Sequence, residues 1–332
     1  MTGPYVIGCD IGSQGTNTAL YSDDGRLVAS AYEAYDVLFP RPGWAEQDPR
    51  AWINALHSTL RRVLDEVTEG ASAVKAISFA SQLDGMVVCD AQGKPLRNAM
   101  IWMDRRAEAQ AAAMAQRVTR EDFYHQVGTN LDSSHAVFKA LWVKDEEPDV
   151  FARAARLMPP GSFVVQEAAG VSMVDYSNAS SLALLDPRTR KWSDAILDAA
   201  GLDASMFPEL APGTLGVGSV TEAFAGVYQA LDYRLQRAGE PGPGRPLTEM
   251  PVTSLLTSPV QGETAEPGWR MYGAAAEIIA ATAETLGKDM RSLPRRVTWP
   301  QSAVPTSSKL EEQFYPSSDD IVTACRASVI GK

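Results

Sequence analysis

The chain has 332 residues, of which 45% are hydrophobic and 21% are charged, and its formal net charge is −11. These values are typical of a globular protein that is long enough for two domains. The acidic balance argues against general binding to nucleic acid or to anionic membranes, although a local turn of backbone amides can still hold a phosphate.

The sequence indicates neither a metal cluster, a disulfide framework nor a membrane span. The three cysteines have no paired spacing, and the three histidines form no H-x-x-H pattern. No apolar run reaches the roughly 18 residues that cross a bilayer, and no basic segment followed by an apolar one opens the chain. We therefore expect a cytoplasmic protein without nucleic-acid or membrane partners, and a homodimer is left open.

The first residues predict three short antiparallel strands, at 5–9, 16–22 and 26–32. Tight turns rich in glycine and aspartate separate them. A dinucleotide-binding domain would instead place a helix directly after its Gly-rich turn, and G-x-G-x-x-G is absent. A Rossmann dehydrogenase is therefore rejected.

The pattern then alternates between helices and strands. Asp48 and Pro49 mark the start of a helix over 49–69. We predict strands at 74–80 and 86–90, and helices at 104–118, 136–144, 148–156 and 193–200. This is the pattern of an α/β domain over residues 1–222. Beyond Gly239 the chain holds 10 of its 21 prolines, so 223–332 is predicted to be a loosely packed Pro-rich tail with isolated helices such as 272–286.

The segment from Asp10 to Thr16 has the composition of a phosphate-binding turn. Its glycines let backbone amides approach phosphate oxygens, and its hydroxyls can add hydrogen bonds. Asp10, at a strand end, can hold the water shell of Mg²⁺. An ordinary hairpin turn is the competing interpretation. The candidate residues are Asp10, Gly12, Ser13, Gln14, Gly15 and Thr16.

Two further segments have the composition of a sugar site. Gln82 and Asp84 follow a predicted buried strand, where polar side chains often face a ligand crevice. Trp102 and Asp104 combine a ring for C–H groups with a carboxylate for hydroxyls. A solvated turn and a plain helix N-cap are the alternatives.

Asp175 follows an apolar stretch and precedes Tyr176-Ser177-Asn178-Ala179-Ser180. It could simply cap a turn. As a catalyst, it would accept the proton of a sugar hydroxyl that attacks the γ-phosphate of ATP.

Taken together, these segments resemble the FGGY carbohydrate kinase family, and most closely its xylulokinase-type members. Besides the turn and the segments at 81–85 and 175–180, the resemblance rests on Pro42-Gly-Trp-Ala-Glu-Gln-Asp-Pro49 and Ile101-Trp-Met-Asp-Arg-Arg106. It covers roughly residues 4–222, the family's first domain.

The resemblance implies an actin/hexokinase-like (ribonuclease H-like) ATPase fold with a mixed sheet, followed here by an irregular C-terminal tail. It implies ATP and Mg²⁺ as cofactors and a small sugar as substrate. Asp175 matches the catalytic base, and Asp10 matches the acid near Mg²⁺ and phosphate. The region that contacts sugar matches Gln82, Asp84, Trp102 and Asp104.

Four departures from the family pattern matter. One is Gly161-Ser162, which replaces the Lys-Asp that usually follows the proline near residue 160. Asn17 stands where the family usually has a basic residue, and Leu83-Asp84 stand where it often has Met-His. The family's second domain has no counterpart that we identify after residue 225. From the resemblance as a whole, we expect an ATP-dependent sugar kinase that phosphorylates a hydroxyl of a pentulose or similar polyol. The alternative is a truncated, catalytically inactive relative that binds sugar.

Overall fold

The computed structural model describes residues 4–67, 73–213 and 215–225, together with the backbone of Pro251–Ser254. All of them belong to the first of two units into which the chain divides, Met1–Leu256 and Thr257–Lys332. The helix predicted at 272–286 lies outside the described residues. The division of the chain at residue 222 stays a prediction.

Strands and helices are interspersed along the described chain. The strands are β1 Tyr5–Ile11, β2 Gly15–Ser22, β3 Leu27–Ala34, β4 Glu46–Gln47, β5 Val74–Ser81, β6 Val87–Cys89, β7 Ala99–Met100, β8 Arg156–Met158, β9 Met173–Asp175, β10 Leu185–Asp186, β11 Lys191–Trp192, β12 Glu209–Ala211, β13 Gly216–Ser219 and β14 Pro251–Ser254. The helices are α1 Pro49–Leu64, α2 Glu108–Met114, α3 Arg120–Val127, α4 Ala136–Glu146, α5 Pro148–Phe151, α6 Pro160–Ala169, α7 Tyr176–Ser181 and α8 Asp194–Ala200. Within the described residues, no helix is both long enough and apolar enough to cross a bilayer.

Six of the strands form one mixed sheet, in the order β13-β14-β5-β1-β2-β3. The strands β1, β2 and β3 are antiparallel neighbours, whereas β5 runs parallel to both β1 and β14. This confirms the predicted α/β class and the antiparallel opening. β14 comes from the range predicted as a tail, so part of that range joins the sheet.

Helix α1 begins where the sequence predicts. The Asp48 side chain accepts a hydrogen bond from the amide of Arg50, and Pro49 occupies the first turn. Burying one large apolar side chain contributes about 1.5–3 kcal/mol, so the inward face of α1 holds it in place. That face shares one buried cluster with β1 and β5, which includes Trp52, Leu56, Leu60, Val63, Ile7 and Ile77.

A second buried cluster surrounds α4. Phe123 of α3 stacks on Phe138 of α4, with ring centroids 5.9 Å apart, and α2 and α8 contribute further apolar residues. The residues of α4 from Ala136 to Val143 are all buried. The cluster therefore holds α4 in place, and with it the polar residues His135 and Lys139 near the start of the helix.

Six helices differ from their predictions. α1 ends at Leu64 and not at residue 69, and neither α3 nor α7 was predicted. The helix predicted at 104–118 begins only at Glu108, because Asp104 is held by a loop described below. The helix predicted at 148–156 ends at Phe151, and Arg156 begins β8. α6 was not predicted, because its first turn contains Pro160 and Gly161, which are typical of a loop.

The parallel strands β1 and β5 end at the same edge of the sheet. Ile11 pairs with Ser81 in register, and the amide of Gln82 donates to the carbonyl of Ile11 at 2.8 Å. The segments that follow the two strands are therefore joined where they leave the sheet. In open α/β sheets, ligands bind outside the carboxyl ends of the strands.

Candidate active site

A tight turn of residues 12–15 follows β1. The amide of Gly12 donates to the carbonyl of Gly15 at 3.0 Å. A Cβ atom on Gly15 would lie 2.5 Å from atoms of β3, so this position requires glycine. Among the described residues, none accepts a hydrogen bond from the amides of Ser13 or Gln14. Neighbouring amides without protein acceptors are what a phosphate-binding turn requires.

Thr16, which was predicted to offer a hydroxyl to phosphate, is fully buried. Its Oγ1 lies 3.5 Å from the hydroxyl of Tyr35, which in turn donates to the carbonyl of Gly12 at 2.6 Å. In this structure the Thr16 hydroxyl is not accessible to a ligand, and a direct phosphate contact by Thr16 stays a prediction. The residue supports the turn from inside.

Asp10 lies in β1, directly before the turn. Partial burial raises the pKa of its carboxyl above the ordinary value, and no described residue hydrogen-bonds to the carboxylate. An available carboxylate fits Mg²⁺, which binds through one or two carboxylates together with waters and phosphate oxygens. Over the described residues, no group of three His, Cys, Asp or Glu side chains could hold a metal ion.

Hydrogen bonds join the turn to three other segments. Trp102 Nε1 donates to Ser13 Oγ at 2.7 Å, and this hydroxyl lies 3.3 Å from Gln82 Oε1. Gln82 Nε2 donates to Gln47 Oε1 at 2.8 Å, and Gln47 Nε2 donates to the carbonyl of Ser13 at 2.8 Å. Trp52 Nε1 also donates to Gln47 Oε1, at 3.1 Å. Motifs that are far apart in sequence thus meet at one point.

Trp102 is the exposed member of this network, with 44% of its surface accessible. Its N–H group is occupied by Ser13, while the indole ring stays available to stack against C–H groups of a ligand. Gln82 is 8% exposed, and both of its amide atoms lie within the network. In this structure Gln82 links the turn to β4, and the ring of Trp102 is the part of the network that a ligand can reach.

Asp84 lies in the loop after β5, with a left-handed φ of 51°. Its Oδ1 is 3.2 Å from Nδ1 of His135, and Lys139 Nζ donates to its main-chain carbonyl. Its amide donates to Ser181 Oγ at 3.4 Å. The Asp84 side chain is 24% exposed, so this predicted sugar-contacting acid remains accessible. No sequence motif identified its three partners.

Asp104 is 0% exposed. The amide of Ala45 donates to its Oδ2 at 2.7 Å, Arg106 Nη2 donates to the same oxygen at 2.7 Å, and Arg106 Nε donates to Oδ1 at 3.0 Å. Protein donors occupy both oxygens away from solvent in this structure, so the geometry does not support a sugar contact by Asp104, which stays a prediction. Its carboxylate instead fixes the loop that precedes β4.

A buried charged cluster surrounds that loop, and no sequence pattern indicated it. The guanidinium of Arg106 lies 3.6 Å from the ring centroid of Trp44 and 4.9 Å from that of Trp142. Glu46 Oε1 is 2.7 Å from both Arg106 and Arg97. Burial lowers the pKa of Arg97 below its ordinary value. Opposite charges and ring faces together hold this loop and Glu46. Gln47, which follows Glu46 in β4, belongs to the network.

Asp175 caps helix α7. Its Oδ1 accepts the amides of Ser177 and Asn178 at 3.0 and 2.9 Å, and its Oδ2 accepts Asn178 Nδ2 at 2.6 Å. The residue is 3% exposed. Ser181, the contact of Asp84, lies at the other end of this six-residue helix, about 9 Å along the helix axis. The geometry favours a capping role, and the role as catalytic base stays a prediction.

The chain is similar to known proteins over its first part. Residues 5–229 match the model of the FGGY family of carbohydrate kinases, N-terminal domain. The chain is 29% identical over 225 residues to the xylulose kinase of Lactococcus lactis, covering 68% of the chain and 45% of that protein. It is 29% identical over 229 residues to the glycerol kinase of Polaromonas sp. strain JS666, covering 67% and 46%.

Solved structures show the same fold. The xylulose kinase from Rhodospirillum rubrum superimposes with a TM-score of 0.66 at 25% identity, over 75% of this chain and 48% of that one. A kinase from Brucella ovis, described as a xyloylose kinase, gives a TM-score of 0.62 at 28% identity, over 65% and 45%. The chain thus spans less than half the length of each of these relatives.

Proposed function

Since the chain belongs to the FGGY family of carbohydrate kinases, we propose that it binds a sugar or polyol at the joined turns and presents one hydroxyl to the γ-phosphate of ATP. The observation that carries this proposal is the network through Ser13, Gln82 and Trp102. It connects the residues suited to a sugar with the turn suited to a phosphate. A kinase needs these two functions side by side, because its catalysis consists largely of positioning and charge stabilisation.

On the sugar side, Trp102 and Asp84 are the groups open to a ligand. The indole ring covers C–H groups, and a carboxylate oxygen accepts a hydrogen bond from a hydroxyl. We propose a pentulose or a similar polyol as the substrate. The xylulose kinases and glycerol kinases among the relatives support this class.

On the phosphate side, the amides of Ser13 and Gln14 would donate to phosphate oxygens. Asp10 would hold Mg²⁺ through its water shell. When bound, the ion supplies positive charge that neutralises the phosphate oxygens. Burial raises the pKa of Asp10, and a bound cation would act in the opposite direction by favouring the ionised carboxylate.

Transfer also needs a base for the proton of the attacking hydroxyl. We propose Asp175 for this role on the strength of the family resemblance. It would then have to exchange hydrogen bonds from Ser177 and Asn178 for one from the substrate. Loss of these hydrogen bonds would cost free energy, so the role of Asp175 as a base needs a test of its own.

A second candidate function is sugar binding without turnover. It is favoured by the extent of the match, which ends at residue 229 and covers 45% of the Lactococcus relative. Domain closure supplies water exclusion and positioning to enzymes of this kind. In this second candidate, the chain alone binds its sugar and releases no ADP.

One experiment separates the two candidates. D-xylulose, xylitol and glycerol are titrated into the 332-residue chain by calorimetry, and ADP release is followed in a coupled assay with ATP and Mg²⁺. Sugar-dependent ADP release at about 1–100 s⁻¹ would establish kinase activity. Binding without ADP release would support the second candidate. No binding of any of the three would contradict both.

A further inference from the structure

The backbone at Asp84 is held in a conformation that a non-glycine residue rarely adopts. Its φ is 51°, in a region that costs energy unless the surroundings stabilise it. Lys139 stabilises this backbone conformation, because its ammonium group donates to the carbonyl of Asp84 and, at 2.5 Å, to the carbonyl of Ser134. Lys139 is 0% exposed, and burial lowers its pKa to about 8. Its two carbonyl partners tie the loop after β5 to the start of α4.

The side chain of Asp84 is oriented by a second contact, with His135. Nδ1 of His135 lies 3.2 Å from Asp84 Oδ1, and Nε2 lies 3.1 Å from Thr129 Oγ1. An ionised carboxylate only accepts hydrogen bonds, so Nδ1 must carry the proton. In the neutral ring, Nε2 is then the acceptor and the Thr129 hydroxyl is the donor. The hydrogen bonds are therefore donated in one direction, from Thr129 to His135 and from His135 to Asp84. We call this chain of three residues the relay.

The relay is sheltered but reaches the surface at Asp84. Thr129 is 8% exposed, and the side chains of His135 and Asp84 are 13% and 24% exposed. His135 precedes α4, whose first eight residues are buried, so the ring has a rigid support. The imidazole occupies Oδ1, and no described residue hydrogen-bonds to Oδ2.

We propose that His135 is a positioning residue, which holds Asp84 through Nδ1 so that Oδ2 accepts a hydrogen bond from a substrate hydroxyl. The inference rests on the proposed sugar site and adds a residue that neither the motifs nor the spacing of the histidines indicated. Because Oδ2 accepts and does not donate, it favours a hydroxyl over a carbonyl oxygen at this position.

Two substitutions of His135 distinguish the roles of its two ring nitrogens. In His135→Asn the side-chain amide takes the place of Nδ1, and in His135→Gln it takes the place of Nε2. We expect His135→Gln to weaken calorimetric binding of xylitol and glycerol about tenfold, since a hydrogen bond to a charged group is lost. His135→Asn should recover most of that loss. His125→Gln is the control, because His125 is 57% exposed and lies on α3. Equal losses in the two His135 variants, at matched thermal stability, would overturn the proposal.

A second readout does not depend on any ligand. The long-range ¹H–¹⁵N spectrum of the histidine rings should show His135 protonated on Nδ1, with the signal assigned by its absence in His135→Asn. A tautomer protonated only on Nε2 would overturn the proposal even if sugars bind. If no sugar binds and the Nδ1 tautomer is found, the relay stands and the proposed substrate class fails.

Discussion

Trp102 donates its indole N–H to the hydroxyl of Ser13 at 2.7 Å, across 89 residues of sequence. This bond connects the aromatic residue that suits a sugar with the turn that suits a phosphate. The turn cannot move relative to Trp102 without breaking it. The proposed sugar site and the proposed phosphate site are therefore held next to each other in this structure.

The coupling between these two residues is measurable. In a double-mutant cycle with Ser13→Ala and Trp102→Phe, we expect an interaction energy of about 0.5–1 kcal/mol, typical of a partly exposed hydrogen bond. Urea unfolding of the four proteins provides it. Ser13→Ala combined with Tyr124→Phe should be additive, because no hydrogen bond of the described residues joins Ser13 and Tyr124. Additivity in both cycles would mean that the hydrogen bond between Trp102 and Ser13 contributes nothing to the free energy of unfolding.

Removing Asp104 should damage folding more than binding. Asp104→Ala removes the buried acceptor of the Ala45 amide and one of the two carboxylate partners of Arg106, which keeps Glu46. Breaking a buried pair costs up to about 3–5 kcal/mol. Asp132→Ala is the matched control, since Asp132 pairs with Arg105 at 2.7 Å with side chains about half exposed. Such a surface pair is worth about 0–1 kcal/mol. Denaturant unfolding compares the two, and equal losses would contradict the assignment.

Two substitutions at Asp175 separate a cap from a base. Asparagine is as good an N-cap as aspartate, whereas alanine costs about 0.5–2 kcal/mol. Asp175→Asn keeps the acceptor for the two amides, although its side-chain nitrogen would face Asn178 Nδ2. It should therefore lose less stability than Asp175→Ala.

If Asp175 is also the base, Asp175→Asn should lose roughly 10²–10⁴-fold in any ADP release that the wild type shows. Its sugar affinity should remain. Turnover that survives in Asp175→Asn would leave the residue with its capping role alone.

Stability should fall in mild acid because of His57. Its ring lies 4.6 Å from that of Phe224, and burial, with a smaller contribution from Arg61, lowers the pKa of His57 from 6.5 to about 4. The unfolded chain takes up the proton first, so this stability is complete above pH 6.5 and is lost as the pH falls towards 4.

The loss should amount to about 1–3 kcal/mol, because each pKa unit is worth about 1.4 kcal/mol and the ring is only partly buried. Urea unfolding at pH 7 and pH 4.5 measures it. His57→Phe keeps a ring against Phe224 and should lose less stability over this interval. The same acid loss in both proteins would assign the effect to other groups.

The sequence predicts the parts of the fold that depend on neighbouring residues. Glycines at residues 12–15 imply the turn between β1 and β2, and Asp48-Pro49 implies the start of α1. The order of the motifs also indicates which segments approach one another. These features are local or shared by the family, so a single sequence reveals them.

Contacts between distant residues could not be predicted. Asp104 accepts from Ala45, which is 59 residues away, and a carboxylate after a tryptophan has the same pattern whether it is buried or open. His135 and Asp84 are 51 residues apart, and no spacing rule connects them. Asp175 illustrates the same difficulty, since one Asp-x-Ser-Asn pattern suits both a helix cap and a catalytic base.

The central claim is that Trp102 and the turn beside it form a site for a sugar or polyol. Calorimetric titration of D-xylulose, xylitol and glycerol into wild type and Trp102→Ala tests it most directly, with Tyr124→Ala as a control of similar exposure, at 40% against 44%. We expect at least one of the three to bind the wild type and the Tyr124→Ala protein equally, and to bind Trp102→Ala about tenfold more weakly or not at all. Equal affinity of a bound sugar for wild type and Trp102→Ala would contradict the claim.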